Sequence, residues 1–287
     1  MSFVGRPNTG KSSLTNALVG TKVAITSPKP QTTRNAIRGI VQSPQGQLVV
    51  VDTPGLHRPK TLLGQRLNSV TEEVLADVDV IALCIPADER VGPGDRRIVR
   101  ELSKQPLARL LAIITKTDVA SKGAVAERLV EVDQLANWES LVPVSSVTGY
   151  QLEVLLDQLF ALLPEGPPLY PSETVVDQTI EWRVAELIRE SALAEIKEEV
   201  PHSVAVTVDE IAQSADGLQK VFASLWVERD SQKGIIIGKG GLRLREIGSR
   251  ARAQIEELLG DKIYLSVQIK VAKQWQRDPK QIHKLGL

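Results

Sequence analysis

The feature that most restricts the fold lies near the start of the chain, where residues Gly5 to Ser12 read Gly-Arg-Pro-Asn-Thr-Gly-Lys-Ser. This stretch fits the P-loop pattern G-x-x-x-x-G-K-[ST] and stands between an apolar dipeptide and a helical pattern. In such a loop, backbone N–H groups and the positive end of the following helix face the phosphates of a nucleotide. We therefore expect Lys11 to reach the β- and γ-phosphates and Ser12 to ligate Mg²⁺.

A proline cluster divides the chain. Four prolines in eight residues, from Pro164 to Pro171, fit neither a helix nor a central strand. We expect residues 164–172 to be a linker between a domain of residues 1–163 and a domain of residues 173–287, and the length of 287 residues also favours two domains. Before the linker, apolar runs such as Val80–Ile85 alternate with helical segments, which predicts an α/β domain with a mostly parallel sheet and flanking helices.

After the linker the pattern changes to α-β-β-α-β, which is typical of a small α+β domain. A helical segment, Ile180–Glu199, is followed by Pro201, where a helix should stop. From Gln219 to Leu287 the chain has 14 Lys and Arg residues against 7 Asp and Glu residues, although the totals for the whole chain are equal at 35. This basic region indicates a polyanionic partner.

The composition excludes several classes of protein. Cys84 is the only cysteine, so neither an internal disulfide nor a cysteine-based metal site can form, and we expect it to be a small buried hydrophobic residue. No segment approaches the roughly 18 apolar residues of a membrane span, and no secretory signal is visible. We therefore expect a cytoplasmic protein. Aromatic residues make up 3% of the chain, which argues against base stacking on Phe or Tyr.

A second motif, Asp52-Thr-Pro-Gly55, follows an apolar strand. A carboxylate at the C-terminal end of a parallel strand faces the ligand crevice, so we expect Asp52 to hold Mg²⁺ through water. Gly55 can offer its N–H to the γ-phosphate. In the preceding loop, Thr33, with Thr32 as the alternative, can add its hydroxyl to Mg²⁺ when a γ-phosphate is present.

Two further motifs suit the recognition of guanine. Asp118, in Thr115-Lys-Thr-Asp118, can accept from the N1–H and the N2 amine of guanine, whereas adenine would leave a buried carboxylate unpaired. Lys116 can lie along the base plane, and the backbone of Ser145-Ser146 can meet guanine O6.

Together the four motifs resemble a translation-factor-class GTPase domain. Thr115 and Ser146 replace the commoner Asn and Ala, for which we expect some loss of guanine affinity. Leu56 stands where many GTPases have a Gln that orients water, so we expect slow intrinsic hydrolysis. We interpret His57 as an exposed loop residue. We assign catalytic roles to Lys11, Thr33 and Gly55, and Mg²⁺ ligation to Ser12, Thr33 and Asp52. The predicted nucleotide contacts are Gly5, Arg6, Pro7, Asn8, Thr9, Gly10, Lys11, Ser12, Ser13, Asp52, Thr53, Pro54, Gly55, Leu56, Thr115, Lys116, Thr117, Asp118, Ser145 and Ser146.

The basic region carries a G-x-x-G loop, Gly238-Lys-Gly-Gly241, between an apolar approach and a helix. This arrangement is the mark of a KH module, in which a glycine loop lets a single-stranded backbone come close, and the strand order predicts type II. A turn before a helix is the alternative. The predicted RNA contacts are Ile236, Gly238, Lys239, Gly240, Gly241, Arg243 and Arg245. Trp182 and Trp226 should pack within this domain, and for Trp275 we prefer packing to RNA contact.

A GTPase domain followed by a type II KH domain resembles the Era-type GTPases over essentially the whole chain. The resemblance implies binding and hydrolysis of GTP with Mg²⁺, and binding of the 3′ region of small-subunit ribosomal RNA during assembly of the 30S subunit. It also implies peripheral contact with the inner face of the cell membrane. We expect a monomer. The first strand, with three residues before Val4, is shorter than in the family.

We expect GTP to order the loops at about residues 26–40 and 55–70 and so to change how the two domains sit, which would open or close the KH groove. Two alternatives remain from the residues alone. One is a metabolic P-loop kinase, against which Asp118 argues. The other is an RNA-binding KH protein whose nucleotide domain is regulatory or vestigial, without significant turnover, against which Lys11, Ser12 and Asp52 argue.

Overall fold

The computed structural model describes residues 1–105, 107–196, 203–215 and 217–287. The chain forms two compact units. The first contains residues 1–26, 33–59 and 64–177, and the second contains residues 27–32, 60–63 and 178–287. Among the helices in these described ranges, none combines the length and apolar character needed to cross a bilayer.

The first unit is a six-stranded sheet flanked by helices. Its order, β2-β3-β1-β4-β5-β6, is parallel except for the antiparallel pair β2 and β3. The elements are β1 (Ser2–Val4), α1 (Lys11–Val19), β2 (Ile37–Ser43), β3 (Gly46–Asp52), α2 (Leu62–Ala76), β4 (Val80–Pro86), α3 (Pro93–Leu102), β5 (Arg109–Thr115), α4 (Lys122–Asp133), β6 (Ser140–Pro143) and α5 (Leu152–Leu162).

The strands are apolar without alternation because helices cover both faces of the sheet. In β4, Ala82 and Cys84 pack in one apolar cluster, while Ile81 and Leu83 pack in the cluster on the opposite face. This two-sided burial confirms the predicted α/β domain with a mostly parallel sheet. It also brings the C-terminal ends of β1, β3, β4, β5 and β6 to one edge, where a ligand crevice forms in folds of this kind.

The proline-rich segment lies within the first unit, not between the two units as we expected. Residues 164–177 run along the sheet edge, where the Ile40 N–H donates to the Val175 carbonyl at 2.9 Å. The Gln47 amide oxygen accepts from the backbone N–H groups of Leu169 and Tyr170 at 2.8 and 2.9 Å. β2 is an edge strand whose outward backbone groups are not used by β3, so an extended segment that cannot enter a helix can still pair with it.

The second unit is a three-stranded sheet with helices on one face. Its elements are α6 (Ile180–Glu195), β7 (Ala205–Gln213), β8 (Gln219–Val227), α7 (Asp230–Ile237), α8 (Leu242–Leu259), β9 (Ile263–Val271) and α9 (Pro279–Lys284). β8 is central, antiparallel to β7 and parallel to β9. The predicted α+β domain is confirmed. Its first helix ends at Glu195, before the predicted end at Glu199, because Ile196 is already extended; Glu199 and Pro201 themselves lie outside the described residues.

Two details of the second unit depart from the sequence pattern. The apolar approach to the glycine loop is a short helix, α7, which the sequence did not predict. On α8, the apolar residues at helical spacing predict one buried face, and Ile247, Ala251 and Ile255 are buried, but Leu242 at its first turn is 55% exposed.

Candidate functional site

Two glycines shape the P-loop between β1 and α1. A Cβ atom at Gly5 would lie 2.6 Å from the Cys84 carbonyl oxygen, and Gly10 has φ of 90°, a left-handed conformation that strains other residues. α1 begins at Lys11 directly after this turn. Because the first N–H groups of a helix have no partner within the helix, the loop and the helix end together form a cradle for an anion.

Lys11 lies inside this loop. Its side chain is buried, and Nζ donates to the carbonyl oxygen of Arg6 at 2.9 Å. Burial lowers the pKa of Lys11, and the nearby Asp52 carboxylate opposes that shift. The Arg6 side chain points elsewhere, with Nε 2.8 Å from Asp95 on α3. Any contact of Arg6 with a nucleotide must therefore come from its backbone.

Three oxygen atoms converge beside Lys11. The Ser12 hydroxyl lies 2.6 Å from Asp52 Oδ2 and 2.9 Å from the Thr33 hydroxyl, and the Thr33 hydroxyl lies 3.2 Å from the same carboxylate oxygen. Thr32 instead donates within its own loop, to the carbonyl of Lys29 at 2.6 Å. The structure thus brings Thr33, and not Thr32, to Ser12 and Asp52.

The donor set suits a hard divalent cation. Asp52 is fully buried, and within the described part of the chain its Oδ1 atom has no hydrogen-bond partner. Burial raises the pKa of Asp52, while the bond from Ser12 and the charge of Lys11 oppose that shift. A buried carboxylate with an unpartnered oxygen, next to two hydroxyls, has the oxygen chemistry that Mg²⁺ prefers.

The segment after Asp52 packs against the P-loop. A Cβ atom at Gly55 would lie 2.8 Å from the Pro7 nitrogen, so this position accepts only glycine without a shift of backbone. The Thr53 hydroxyl donates to the carbonyl of Phe3 at 2.9 Å. The Leu56 side chain packs against an apolar cluster of the sheet. It offers no group that could position water. His57 is partly buried, not exposed as we interpreted it, and its Nδ1 atom lies 3.0 Å from the Gly55 carbonyl oxygen.

A pocket of about 250 Å³ lies beside the P-loop. Its lining includes Gly10, Ser13, Thr115, Lys116, Asp118 and Ser146. The Thr115 hydroxyl donates to the carbonyl of Thr9 at 2.6 Å and so ties the pocket floor to the P-loop. Thr115, at a position where Asn is commoner, therefore stabilises the P-loop through this hydrogen bond.

Asp118 is exposed at the mouth of this pocket, so its carboxylate is in contact with solvent before a base binds. Its loop lies at the open sheet edge, where a bound base can cover it. The buried Ser145 hydroxyl donates to Asp118 Oδ1 at 2.6 Å and accepts from the N–H of Val147 and Thr148. We predicted only a backbone role for Ser145. Its side chain orients the carboxylate, which no local pattern indicates.

The second unit has its own backbone cradle. Gly238, Gly240 and Gly241 have φ of 70°, 60° and 76°, so three of the four loop residues occupy the left-handed region that favours glycine. Lys239 and Arg245 are exposed around the loop. Arg243, which is partly exposed, donates to the carbonyl of Ile235.

One predicted contact in this loop region is wrong. Ile236 is fully buried in the core, because α7 turns it inward, whereas Ile235 is 40% exposed beside the loop. The packing interpretation of Trp275 is confirmed, since its ring is fully buried and its Nε1–H donates to the carbonyl of Ser203 at 2.9 Å.

The phosphate cradle, the three converging oxygens and the base pocket define a GTPase domain. The second unit follows it along the chain, and its three-stranded sheet with a glycine loop defines a KH domain. The family model described as 50S ribosome-binding GTPase matches residues 1–116, and the KH domain model matches residues 199–276.

Relatives match the chain over its length. It is 58% identical over 288 residues to the GTPase Era of Mycobacterium avium (strain 104), covering 99% of this chain and 96% of that protein. It is 56% identical to the GTPase Era of Nocardioides sp. (strain ATCC BAA-499 / JS614), covering 100% of this chain and 95% of that protein. The chain belongs to the Era family of GTPases.

Two solved structures have the same fold throughout. One is Era in complex with MgGDPNP and nucleotides 1506–1542 of 16S ribosomal RNA, with a TM-score of 0.96 at 36% identity over 99% of this chain and 97% of that chain. The other is an Era variant from Aquifex aeolicus bound to GDP·AlF4⁻, with a TM-score of 0.95 at 35% identity and the same coverage.

Proposed function

We propose that this GTPase binds GTP with Mg²⁺ at the P-loop, hydrolyses it slowly, and binds single-stranded RNA near the 3′ end of small-subunit ribosomal RNA through the KH glycine loop, as a step in assembly of the 30S subunit. The observation that carries the proposal is the convergence of Ser12, Thr33 and Asp52 beside Lys11. That arrangement needs Thr33 to come from a loop between α1 and β2, which is how a GTPase senses its nucleotide.

At the nucleotide site we assign the cation to Ser12, Thr33 and Asp52, where Mg²⁺ neutralises charge on the β- and γ-phosphates when bound. Lys11 and the backbone of residues 5–13 hold the phosphates, and the N–H of Gly55 faces the γ-phosphate. Asp118, oriented by Ser145, reads guanine, and Lys116 supports the base.

Slow turnover follows from Leu56, whose side chain packs against an apolar cluster of the sheet and cannot orient water. A single-turnover assay of GTP hydrolysis tests this step. Wild type should hydrolyse GTP slowly, Lys11→Ala should lose hydrolysis but keep RNA binding, and Leu56→Gln should raise the rate. Undetectable hydrolysis in wild type, with or without RNA, would favour a purely regulatory nucleotide domain.

RNA binding is assigned to Gly238, Lys239, Gly240, Gly241, Arg243 and Arg245, with Ile235 replacing Ile236 as the exposed apolar contact. The assignment is supported by the glycine conformations and by the Era structure that contains 16S ribosomal RNA. Fluorescence anisotropy with an RNA spanning nucleotides 1506–1542 tests it against a scrambled RNA of the same length. Equal affinity for both RNAs would refute specific recognition.

We also propose that the nucleotide controls RNA affinity. Thr33 directly follows the segment 27–32, which belongs to the second unit, so a change in Thr33 on loss of the γ-phosphate passes along the chain. The anisotropy assay with GDP and with GDPNP tests this coupling, which is wrong if the two affinities are equal. We place the protein in the cytoplasm as a monomer. Co-sedimentation with anionic vesicles tests the membrane contact that the family resemblance implies, and sedimentation velocity tests the monomer.

A further inference from the structure

The sheet of the second unit has one face that lies opposite α6, α7 and α8, and α9 reaches this face at Trp226 through Lys284. In β8, Val221, Ala223 and Leu225 pack under the helices, so the alternating residues Phe222 and Trp226 point to the other face. In β9, the residues paired with this outer row include Tyr264, Ser266 and Lys270. We call this surface the outer sheet face.

The outer sheet face gathers aromatic side chains in a chain that is only 3% aromatic. The rings of Phe222 and Tyr264 are 6.3 Å apart between centroids and tilted by 59°, and Tyr264 is 51% exposed. The composition argued against stacking of bases on aromatic residues, but it could not show that the fold would collect them. A partly exposed pair of rings on an open sheet is a platform on which unpaired bases can stack.

Positive charge is placed next to these rings. The Nζ atoms of Lys270 and Lys284 lie 5.3 and 5.5 Å from the centroid of the Trp226 ring. Lys270 is also 3.6 Å from Asp209, whereas Lys284 has no ion pair within the part of the chain that the structure describes. A phosphate at this ring can pair with Lys284 directly and with Lys270 in competition with Asp209.

The charge extends beyond this pair. The segment from Lys270 to Lys284 contains five Lys and Arg residues and a single acidic residue, Asp278, whose carboxylate is used to cap α9. Lys273, Arg277 and Lys280 are exposed. Glu210 of β7 is exposed and paired with Phe222, so the positive charge lies on the side of the face that holds Lys270 and Lys284. That side is complementary to the phosphates of a single-stranded polyanion whose flat bases meet the rings.

We propose that the outer sheet face is a second binding surface for single-stranded RNA, separate from the groove at the glycine loop. Bases stack on Phe222 and Tyr264, and phosphates pair with Lys270 and Lys284. This inference rests on the proposed RNA-binding function of the KH domain. RNA fits the face better than lipid because the other outward residues, such as Ser266 and Gln268, are polar and can hydrogen-bond to base edges rather than enter an apolar layer.

The test compares two lengths of fluorescein-labelled single-stranded RNA on the full chain. A 6-nucleotide RNA is long enough to fill a glycine-loop groove, which grips about four nucleotides, and a 30-nucleotide RNA can reach both surfaces. The sheet-face variant is Tyr264→Ser, Lys270→Gln and Lys284→Gln. Its matched control on the first unit is Tyr150→Ser, Arg97→Gln and Arg100→Gln, in which the tyrosine has the same 51% exposure and the charge change is equal.

The sheet-face variant should weaken binding of the 30-nucleotide RNA by roughly tenfold or more, because it removes one stacking ring and two phosphate contacts. The slope of the logarithm of RNA affinity against the logarithm of salt concentration should become shallower by about 1.4. The 6-nucleotide RNA and the GTPase rate should be unchanged within about twofold, which also reports that the variant is folded, and the control should bind both RNAs like wild type. Tyr264→Ser alone should show a smaller loss in the same direction.

The proposal is overturned if the sheet-face variant binds the 30-nucleotide RNA like wild type while a groove variant, Lys239→Asp with Gly240→Asp, loses both RNAs. In that case the proposed function of the groove stands. If wild type binds neither RNA, the proposed function itself fails. If the sheet-face variant keeps its RNA affinity but no longer co-sediments with phosphatidylglycerol vesicles, the face binds membrane and the RNA proposal is rejected.

Discussion

Replacement of Asp118 by asparagine should exchange the base that the pocket prefers. Ser145 accepts from the N–H groups of Val147 and Thr148, so its own hydroxyl proton goes to Asp118 Oδ1, at 2.6 Å. In the Asn variant this donor keeps the amide oxygen at the same place, because an amide NH₂ there would face another donor. The NH₂ group is then turned toward the base.

The size of the effect follows from the bonds exchanged. Asp118 can accept from guanine N1–H and from the N2 amine, and a hydrogen bond to a charged group contributes about 1.5–3 kcal/mol. Asp118 is exposed before a base binds, so the lower value applies to each bond. The loss is then about 3 kcal/mol, or roughly 150-fold in affinity for GDP. Xanthine carries a carbonyl in place of the N2 amine and should gain a comparable factor, since the amide NH₂ can donate to it.

Isothermal titration calorimetry with Mg²⁺ and either GDP or XDP measures both effects. Asp77→Asn is the control, because it removes the same charge from an exposed site on the same unit. Adding Ser145→Ala to Asp118→Asn should reduce the preference for XDP, since the amide is then free to turn. If the Asp118→Asn variant kept its GDP affinity within threefold of wild type, or bound XDP no better, the assigned orientation of this side chain would be refuted.

Three further outcomes are expected. Thr33→Ala removes a hydroxyl that lies 2.9 Å from the Ser12 hydroxyl and 3.2 Å from Asp52. The Mg²⁺ concentration needed to bind GDPNP should therefore rise about tenfold, while Mg²⁺-dependent binding of GDP should not change. An equal effect on both nucleotides would contradict the role given to Thr33. Trp275→Phe leaves the Ser203 carbonyl without its 2.9 Å donor and should lower the free energy of unfolding in urea by about 1–3 kcal/mol, which a change below about 0.5 kcal/mol would argue against. Burial raises the pKa of Cys84 from 9.0 to about 12, so a maleimide should not label the folded protein at pH 8. Above pH 9 the thiol of Cys84 loses its proton in the unfolded chain but keeps it in the folded protein. The free energy of unfolding should therefore fall by up to about 1.4 kcal/mol per pH unit relative to that of Cys84→Ala. An identical dependence of stability on pH in the two proteins would count against this burial effect.

Local patterns in the sequence were enough to predict the architecture. The P-loop is defined by two glycines and a lysine within eight residues, and its geometry depends on φ angles and a helix start that neighbours determine. Continuous apolar runs predicted strands buried on both faces, because only a sheet covered by helices on both sides can bury every residue of β4. The glycine loop of the second unit is equally local, since three of its residues have positive φ.

Contacts between distant residues needed the tertiary structure. Thr32 and Thr33 are equivalent as a sequence pattern, and only the path of the loop relative to Asp52 separates them. Ile235 and Ile236 are adjacent residues of the same type, and they differ in which of them the short helix α7 turns toward the core. The packing of the core decides that it is Ile236.

The aromatic outer sheet face shows the same division most clearly. Strand alternation could be read from β9 alone, but the pairing of Phe222 with Tyr264 depends on the register between β8 and β9. The proline-rich segment likewise joined the first unit because β2 is an edge strand. Sequence determines which residues share a strand, a helix or a turn, because those depend on neighbours a few positions away. Which residues meet in space depends on strand order and packing, which are decided by burial of the whole chain.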